Sequence, residues 1–159
     1  MVATQNWVFL IYQLPREPST PRISVWRKLK RLGVAQVAAG VVALPYDAAS
    51  KEQLEWVAQE VADSGGMASI WITTPTVKRF GADLAHSLSR ERAAEYQKLT
   101  NLAKSHLTDD HADRQRAHRQ LRAEFRRIER RDHFPPPEKT DAQRALQRLT
   151  DSLERENAQ

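Results

Sequence analysis

Two clusters of basic side chains carry the clearest chemistry in this sequence. In the stretch VWRKLKRLGV, residues 25–34, the cations are Arg27, Lys28, Lys30 and Arg31. Residues 114–131 hold eight arginines against two glutamates. Arginine binds phosphate groups through paired hydrogen bonds, a geometry that lysine does not offer. The two clusters therefore predict a partner that carries phosphates or other anions.

The other charges do little to neutralise these clusters. The net charge is +5, although residues 48–75 hold one Lys/Arg against four Asp/Glu. No acidic residue lies four positions from any cation in the first cluster, and only Glu124 and Glu129 accompany the second. Solvated helix faces remain the alternative. The residues that we predict to contact nucleic acid are Arg22, Arg27, Lys28, Lys30, Arg31, Arg119, Arg122, Arg126, Arg127 and Arg130.

The sequence has few residues or motifs suited to catalysis, metal binding or cofactor binding. The chain has no cysteine, which excludes disulfides, thiol nucleophiles and thiolate metal sites. It has no Gly-rich phosphate loop and no H-E-x-x-H motif. His111 and His118 could form a weak metal site with neighbouring aspartates, but solvated polar side chains on a charged helix are the better interpretation. We therefore predict no enzyme activity, no metal and no cofactor.

The location of the protein follows from its apolar runs. No window approaches the ~18 apolar residues that a membrane span needs. The run Trp7–Tyr12 is too short for a signal peptide and lacks a basic leader. We predict a cytoplasmic protein that does not bind a membrane.

The apolar pattern of residues 1–75 predicts the strands and helices that position the first basic cluster. Short apolar runs at 6–14, 34–38, 41–45 and 67–73 indicate strands, and helical stripes indicate helices from about 20 to 32 and from about 50 to 64. The order predicts an α+β fold, a ferredoxin-like βαββαβ domain with a four-stranded antiparallel sheet, over residues 1–75. Both helices should lie on one face of the sheet, with Trp26 and Leu29 buried beneath it. Ser50 is predicted to cap the second helix.

Residues 76–159 predict an all-helical extension of about three helices, which carries the second cluster. One helix should run to about Leu107, and Asp109 or Asp110 should cap the next. Three prolines, 135–137, separate it from a last helix that Thr140 is predicted to cap. Large apolar residues are sparse here, so we expect this extension to pack on the sheet or on a second subunit.

The βαββαβ order resembles that of the small CRISPR-associated endoribonucleases. In those proteins an aspartate at the end of the first strand binds a metal ion, and the matching position here is Gln13. A neutral amide cannot supply the carboxylate that a hard divalent cation requires. Metal-dependent cleavage of nucleic acid is therefore the least favoured of the hypotheses.

A closer resemblance spans nearly the whole chain. WVFLIYQLPREPSTPRISVWRKLKRLGV, then AGVVALP, a Gly-Gly-x-Ala strand and RIERRDHFPPP together resemble the amino-terminal domain of ChrB, the chromate-resistance regulator family. The resemblance implies a DNA-binding transcriptional regulator of chromate-resistance genes whose repression is relieved by chromate. We predict that it acts as a homodimer on double-stranded DNA, with chromate or another tetrahedral anion as a further candidate partner. Family members usually continue into a second domain that is absent here, so the resemblance implies DNA binding more directly than chromate sensing. An adaptor that binds proteins through its helical tail is the competing hypothesis.

Overall fold

A computed structural model describes residues 5–159 and shows a sheet followed by helices. Residues 1–4 of the predicted first domain lie outside the described residues. The strands β1 to β4 are Trp7–Gln13, Ala35–Ala38, Val41–Pro45 and Met67–Thr73. The helices α1 to α5 are Thr20–Leu32, Ala48–Asp63, Lys78–Ser105, His111–Arg130 and Glu138–Asn157, with a short 3-10 helix at His106–Thr108. Along the chain, α1 connects β1 to β2, and α2 connects β3 to β4.

The four strands form one antiparallel sheet in the order β2-β3-β1-β4. The strand β1 is central, and Trp7 lies opposite Pro45 on one side and Thr73 on the other. A β-bulge interrupts the pairing of β2 with β3 between Gln36 and Ala38. The predicted α+β class and the four-stranded antiparallel sheet are confirmed.

Both of the first two helices pack on the same face of this sheet. Alternate residues of β1 point to that face, because successive side chains of a strand alternate. The buried cluster comprises Val8, Leu10, Val25, Leu29, Val42, Leu44, Leu54, Val57 and Val61. The prediction that Leu29 is buried is confirmed, whereas the prediction for Trp26 is wrong because its side chain is 57% exposed. Val25 and Leu29, one turn apart, form the buried line of α1, and Trp26 lies beside that line.

A glycine is required where β1 passes the turn between β2 and β3. Gly40 has φ +71°, and its carbonyl accepts a hydrogen bond of 2.8 Å from the Tyr12 N–H. A Cβ atom at this position would lie 2.5 Å from the Tyr12 carbonyl oxygen. Any larger residue would therefore strain the turn and push β1 away from it.

The helix caps differ in part from the sequence-based prediction. Asp47, rather than Ser50, caps α2, and its Oδ1 accepts a hydrogen bond of 2.6 Å from the Ser50 N–H. Asp110 caps α4 as predicted, by accepting from the Asp113 N–H. Thr140 does not cap α5, because that helix already begins at Glu138 after the prolines. A proline supplies the φ angle of a helix start without a side-chain cap.

The chain divides into two compact units, the first of which ends at Leu88 and the second of which is Ser89–Gln159. Its helices bury their apolar stripes against one another in a core of Tyr96, Leu99, Ala103, Leu121, Ile128, Ala142, Ala145, Leu146 and Leu149. The rings of Tyr96 and Phe125 lie 5.6 Å apart. That this extension packs on the sheet or on a second subunit stays a prediction. In the part of the chain that the structure describes, no helix is long and apolar enough to cross a membrane.

The Arg-Arg-Asp segment at the end of α4 joins that helix to α3. The Tyr96 hydroxyl donates to Asp132 Oδ2 over 2.8 Å, and Arg131 donates to Glu95 Oε1 over 2.6 Å. Burial and the Asp132 carboxylate raise the pKa of Tyr96, so its hydroxyl stays a donor. Arg92, only 7% exposed, forms an ion pair with Glu95. This segment of the RIERRDHF motif is therefore structural.

Candidate nucleic-acid interface

The helix α1 presents cations on the side that faces away from its buried line. Arg27 and Arg31 lie one turn apart and are both exposed. Gly33 ends the helix in the left-handed conformation, and its N–H closes the last turn on Leu29 and Lys30. Lys30 and Arg31 occupy this last turn, where the negative end of the helix dipole stabilises cations.

Lys28 differs from its neighbours because a carboxylate of the adjacent helix compensates its charge. Its Nζ lies 2.5 Å from Glu60 Oε2 of α2, and the Ser24 hydroxyl donates to the other oxygen of that carboxylate. The hydrogen bond from Lys28 holds the pKa of Glu60 below its usual value. The expectation that no acidic residue pairs with these cations is therefore wrong for Lys28. Arg27, Lys30 and Arg31 make no ion pair within residues 5–159.

The two remaining cations of this region contact or border aromatic side chains. Lys30 Nζ lies 5.3 Å from the centroid of the Trp26 ring, a distance at which a cation is attracted to the ring face. Arg22 lines a cleft together with Tyr12 and Arg16. The predicted cations of α1 thus divide among its outward side, its contact with α2 and this cleft.

The helix α4 carries four exposed arginines on one side. Their spacing of three, four and four residues brings them to one face of a helix, opposite the buried Leu121 and Ile128. We call this set the arginine stripe; its members are Arg119, Arg122, Arg126 and Arg130. None of the four forms an ion pair with any other described residue. The Arg126 Nε donates only to the Arg122 carbonyl, over 3.4 Å.

The glutamates of this helix are engaged elsewhere. Glu124 accepts from Arg127 at 2.8 and 2.9 Å, so Arg127, a predicted contact residue, is already paired within its own helix. Glu129 pairs with Lys139 of α5 at 3.2 Å. The four arginines of the stripe therefore have no carboxylate partner among residues 5–159, whereas Arg127 beside them is paired.

The other arginines of the second cluster have structural partners. Arg116 pairs with Asp113 at 3.0 Å, and the buried Arg114 pairs with Glu156 of α5. The pKa of Glu156 is lowered by hydrogen bonds from Arg114 and then from His111. Counting charges along the sequence could not separate these arginines from the stripe, because the partner of Arg114 lies 42 positions away.

The weak metal site considered from the sequence is not assembled. His111 Nδ1 lies 2.6 Å from Glu156 Oε2, and His118 Nε2 lies 2.7 Å from the Thr150 hydroxyl. Burial lowers the pKa of His118 and favours its neutral form. Over residues 5–159 no three His, Asp or Glu side chains lie together as a metal site requires. Gln13 is exposed at the end of β1.

A cleft beside α1 was not predicted from the sequence. Its lining includes Tyr12, Leu14 and Arg16, which come from β1 and the turn that follows it. The available signal was Arg16 itself, an isolated cation placed directly after a predicted buried strand. Only the pairing of β1 with the rest of the sheet shows that it lies near Arg22.

Comparison with known proteins gives one match. A family model described as protein ChrB, N-terminal, matches residues 22–159, which include α1 from Arg22 onward and the whole arginine stripe. No curated protein and no solved structure matches the chain. Since the match covers most of the chain, the resemblance seen in the motifs is confirmed. The chain belongs to the family of ChrB amino-terminal domains.

Proposed function

We propose that this chain is a DNA-binding transcriptional regulator of chromate-resistance genes. Membership of the ChrB family links it to the regulation of chromate resistance. The observation that carries the proposal of DNA binding is the arginine stripe, four exposed and unpaired guanidinium groups on one side of α4. Such a row on the surface is expected to bind an extended polyanion.

The dimensions of the stripe suit duplex DNA. Arg119 and Arg130 are separated by eleven residues, and a helix rises about 1.5 Å per residue, so the row extends over about 16 Å. Duplex DNA carries one negative charge per about 1.7 Å of its axis. A rigid row of this length can therefore contact several phosphates at once. The unpaired cations of α1, Arg27, Lys30 and Arg31, supply a second set of phosphate contacts.

We also infer that the first unit is ferredoxin-like. The element order β1-α1-β2-β3-α2-β4 supports this, as does the sheet order, in which β3 lies between β1 and β2. We propose that the regulator acts as a homodimer, the commonest symmetric assembly and the one that matches two half-sites on DNA. Light scattering of the native chain should give twice the monomer mass of 18.2 kDa.

Relief of repression is proposed to depend on binding of a tetrahedral anion. The chain has no cysteine, so chromate must be recognised as an anion by basic side chains and not by thiol oxidation. Sulfate, a dianion of the same shape, should then compete with chromate for release of DNA. A response that requires reduction of chromium and ignores sulfate would contradict direct anion recognition.

The test of function is specific binding to a duplex that carries the region upstream of the protein's own gene. Fluorescence anisotropy should show tighter binding to this duplex than to a scrambled duplex of the same length. An adaptor that uses the helical tail for protein contacts would leave both duplexes free at low salt. Cleavage of the duplex with magnesium or manganese would instead support a nuclease.

A pair of substitutions on α1 should weaken binding to both duplexes equally. Arg27→Gln with Arg31→Gln removes two exposed cations, and each lost phosphate contact should lower the slope of log affinity against log salt by about 0.9. The fold should survive because neither side chain contacts the core. Circular dichroism and the salt titration measure the two effects.

Lys28→Gln provides the matched control for each single arginine variant. It removes one charge from the same helix, but Lys28 already pairs with Glu60. We expect the slope of log affinity against log salt for Lys28→Gln to stay close to that of the native chain. Arg31→Gln should lower that slope by more. An equal loss in both variants would show that total charge, not the outward side of α1, determines affinity.

A further inference from the structure

A cleft of about 620 Å³ lies beside the first turns of α1, within the first unit. It is formed by the end of β1, the turn after it and the start of the helix. The residues that line it are Tyr12, Leu14, Arg16, Ser19, Arg22, Ile23 and Trp26. Its volume lies within the range of about 300–1,000 Å³ that is usual for small-molecule sites.

The polar side of this cleft carries two arginines that form no ion pair among the described residues. Neither Arg16 nor Arg22 forms an ion pair or a side-chain hydrogen bond within residues 5–159, and no acidic side chain is part of the lining. Ser19 precedes the helix but its hydroxyl makes no capping hydrogen bond. Burial raises the pKa of Tyr12 more than Arg22 lowers it, so the phenol remains a hydrogen-bond donor. Two guanidinium groups and two hydroxyls are thus free to bind an anion.

The other side of the cleft is apolar and open. Ile23 is 47% exposed and Trp26 is 57% exposed, although both are large apolar side chains. An inorganic oxyanion such as sulfate gains nothing from these surfaces, since it needs only hydrogen-bond donors. A ligand with an apolar body also gains free energy by removing these apolar surfaces from water. The combination therefore selects for a ligand that is both anionic and apolar.

We propose that this cleft binds a small organic anion, whose carboxylate or phosphate is held by Arg16 and Arg22 and whose apolar body packs against Ile23 and Trp26. The site is separate from the arginine stripe and goes beyond the proposed function. Arg22, one of the residues predicted to contact DNA, would bind this ligand instead.

Isothermal titration of the full chain without DNA tests this proposal with four matched probes. Benzoate and phenyl phosphate each combine an apolar ring with an anion and distinguish a carboxylate from a phosphate head group. Sulfate lacks the apolar body, and benzyl alcohol lacks the charge. We expect saturable binding of benzoate or phenyl phosphate that is at least about tenfold tighter than binding of sulfate or benzyl alcohol.

Three variants locate the binding. Arg22→Gln should weaken the organic anion by at least about tenfold, the usual effect of losing a charge-assisted hydrogen bond. Trp26→Ala should weaken it while leaving sulfate unchanged, and Lys78→Gln, an exposed cation outside the cleft, should have no effect. All three positions are exposed, so circular dichroism should show native folds.

Two results would overturn the proposal. Sulfate that binds as tightly as phenyl phosphate would make this an inorganic anion site, and the absence of saturable binding by either organic anion would leave the cleft without a ligand. Because no DNA is present, either result leaves the proposed function intact. Conversely, a chain that fails to bind DNA could still bind the organic anion.

Discussion

Replacing all four arginines of the stripe with glutamine is expected to abolish measurable DNA binding at physiological salt. Each phosphate contact contributes about 0.9 to the slope of log affinity against log salt, so the four together account for about 3.6. The fold should persist, because the four side chains are exposed and lie opposite Leu121 and Ile128. Anisotropy titrations at several salt concentrations, with circular dichroism of each protein, measure both outcomes.

A matched pair of double variants separates position from charge in this experiment. Arg122→Gln with Arg126→Gln removes two unpaired cations of the stripe. Arg116→Gln with Arg127→Gln removes two cations from the same helix that already pair with Asp113 and Glu124. The first pair should lower the salt slope by about 1.8, and the second by much less. Equal slopes would show that the helix acts through its total charge and that the stripe has no special role.

The second large effect concerns stability. Leu149→Ala should lower the free energy of unfolding by about 2–5 kcal/mol, because Leu149 is completely buried in the core of the second unit. Urea unfolding followed by circular dichroism measures this loss. Such a reduction is a large fraction of the about 5–15 kcal/mol that stabilises a typical domain.

Leu102→Ala is the matched control for this substitution. Leu102 lies on α3 of the same unit but is 42% exposed, so the same truncation should cost less than about 1 kcal/mol. If the two variants unfold at the same urea concentration, the buried cluster around Leu149 does not stabilise the unit. The Leu149 variant should also lose DNA affinity on warming before the native chain does, since α4 keeps its position only while this core is intact.

The elements of this fold were predictable because their boundaries are local. Each strand is a short apolar run closed by glycine or proline, and Gly33 ends α1 where the pattern predicts. The apolar residues of α5, from Ala142 to Leu153, recur at the helical period and are buried. Periodicity and stop signals are properties of neighbouring residues, so they can be read from the sequence.

The errors arose where distant residues decide the outcome. The spacing predicts Trp26 in the apolar stripe of α1, but the buried residues of this helix are Val25 and Leu29. Lys28 appeared unpaired because its partner, Glu60, lies 32 positions away on the next helix. A sequence gives the order of charges but not the packing of one helix against another.

The candidate nucleic-acid interface was likewise predictable only where neighbouring residues determine it. Helical spacing alone places Arg119, Arg122 and Arg126 on one face. Which arginines have a carboxylate partner depends on tertiary contacts, such as that of Arg114 with Glu156 and that of Arg131 with Glu95. The cleft beside α1 could not be predicted, because it is formed only when β1 and α1 pack together.

If exposed arginines of α4 contact DNA phosphates, DNA binding by the native chain must depend steeply on salt concentration. Its dissociation constant for the upstream duplex should be measured across a series of salt concentrations. We expect a linear plot of log affinity against log salt, with a slope of at least about 3.6 in magnitude from the stripe alone and a steeper one if α1 also contacts phosphates. A flat plot, or no binding even at low salt, would contradict a protein that contacts DNA phosphates through these arginines.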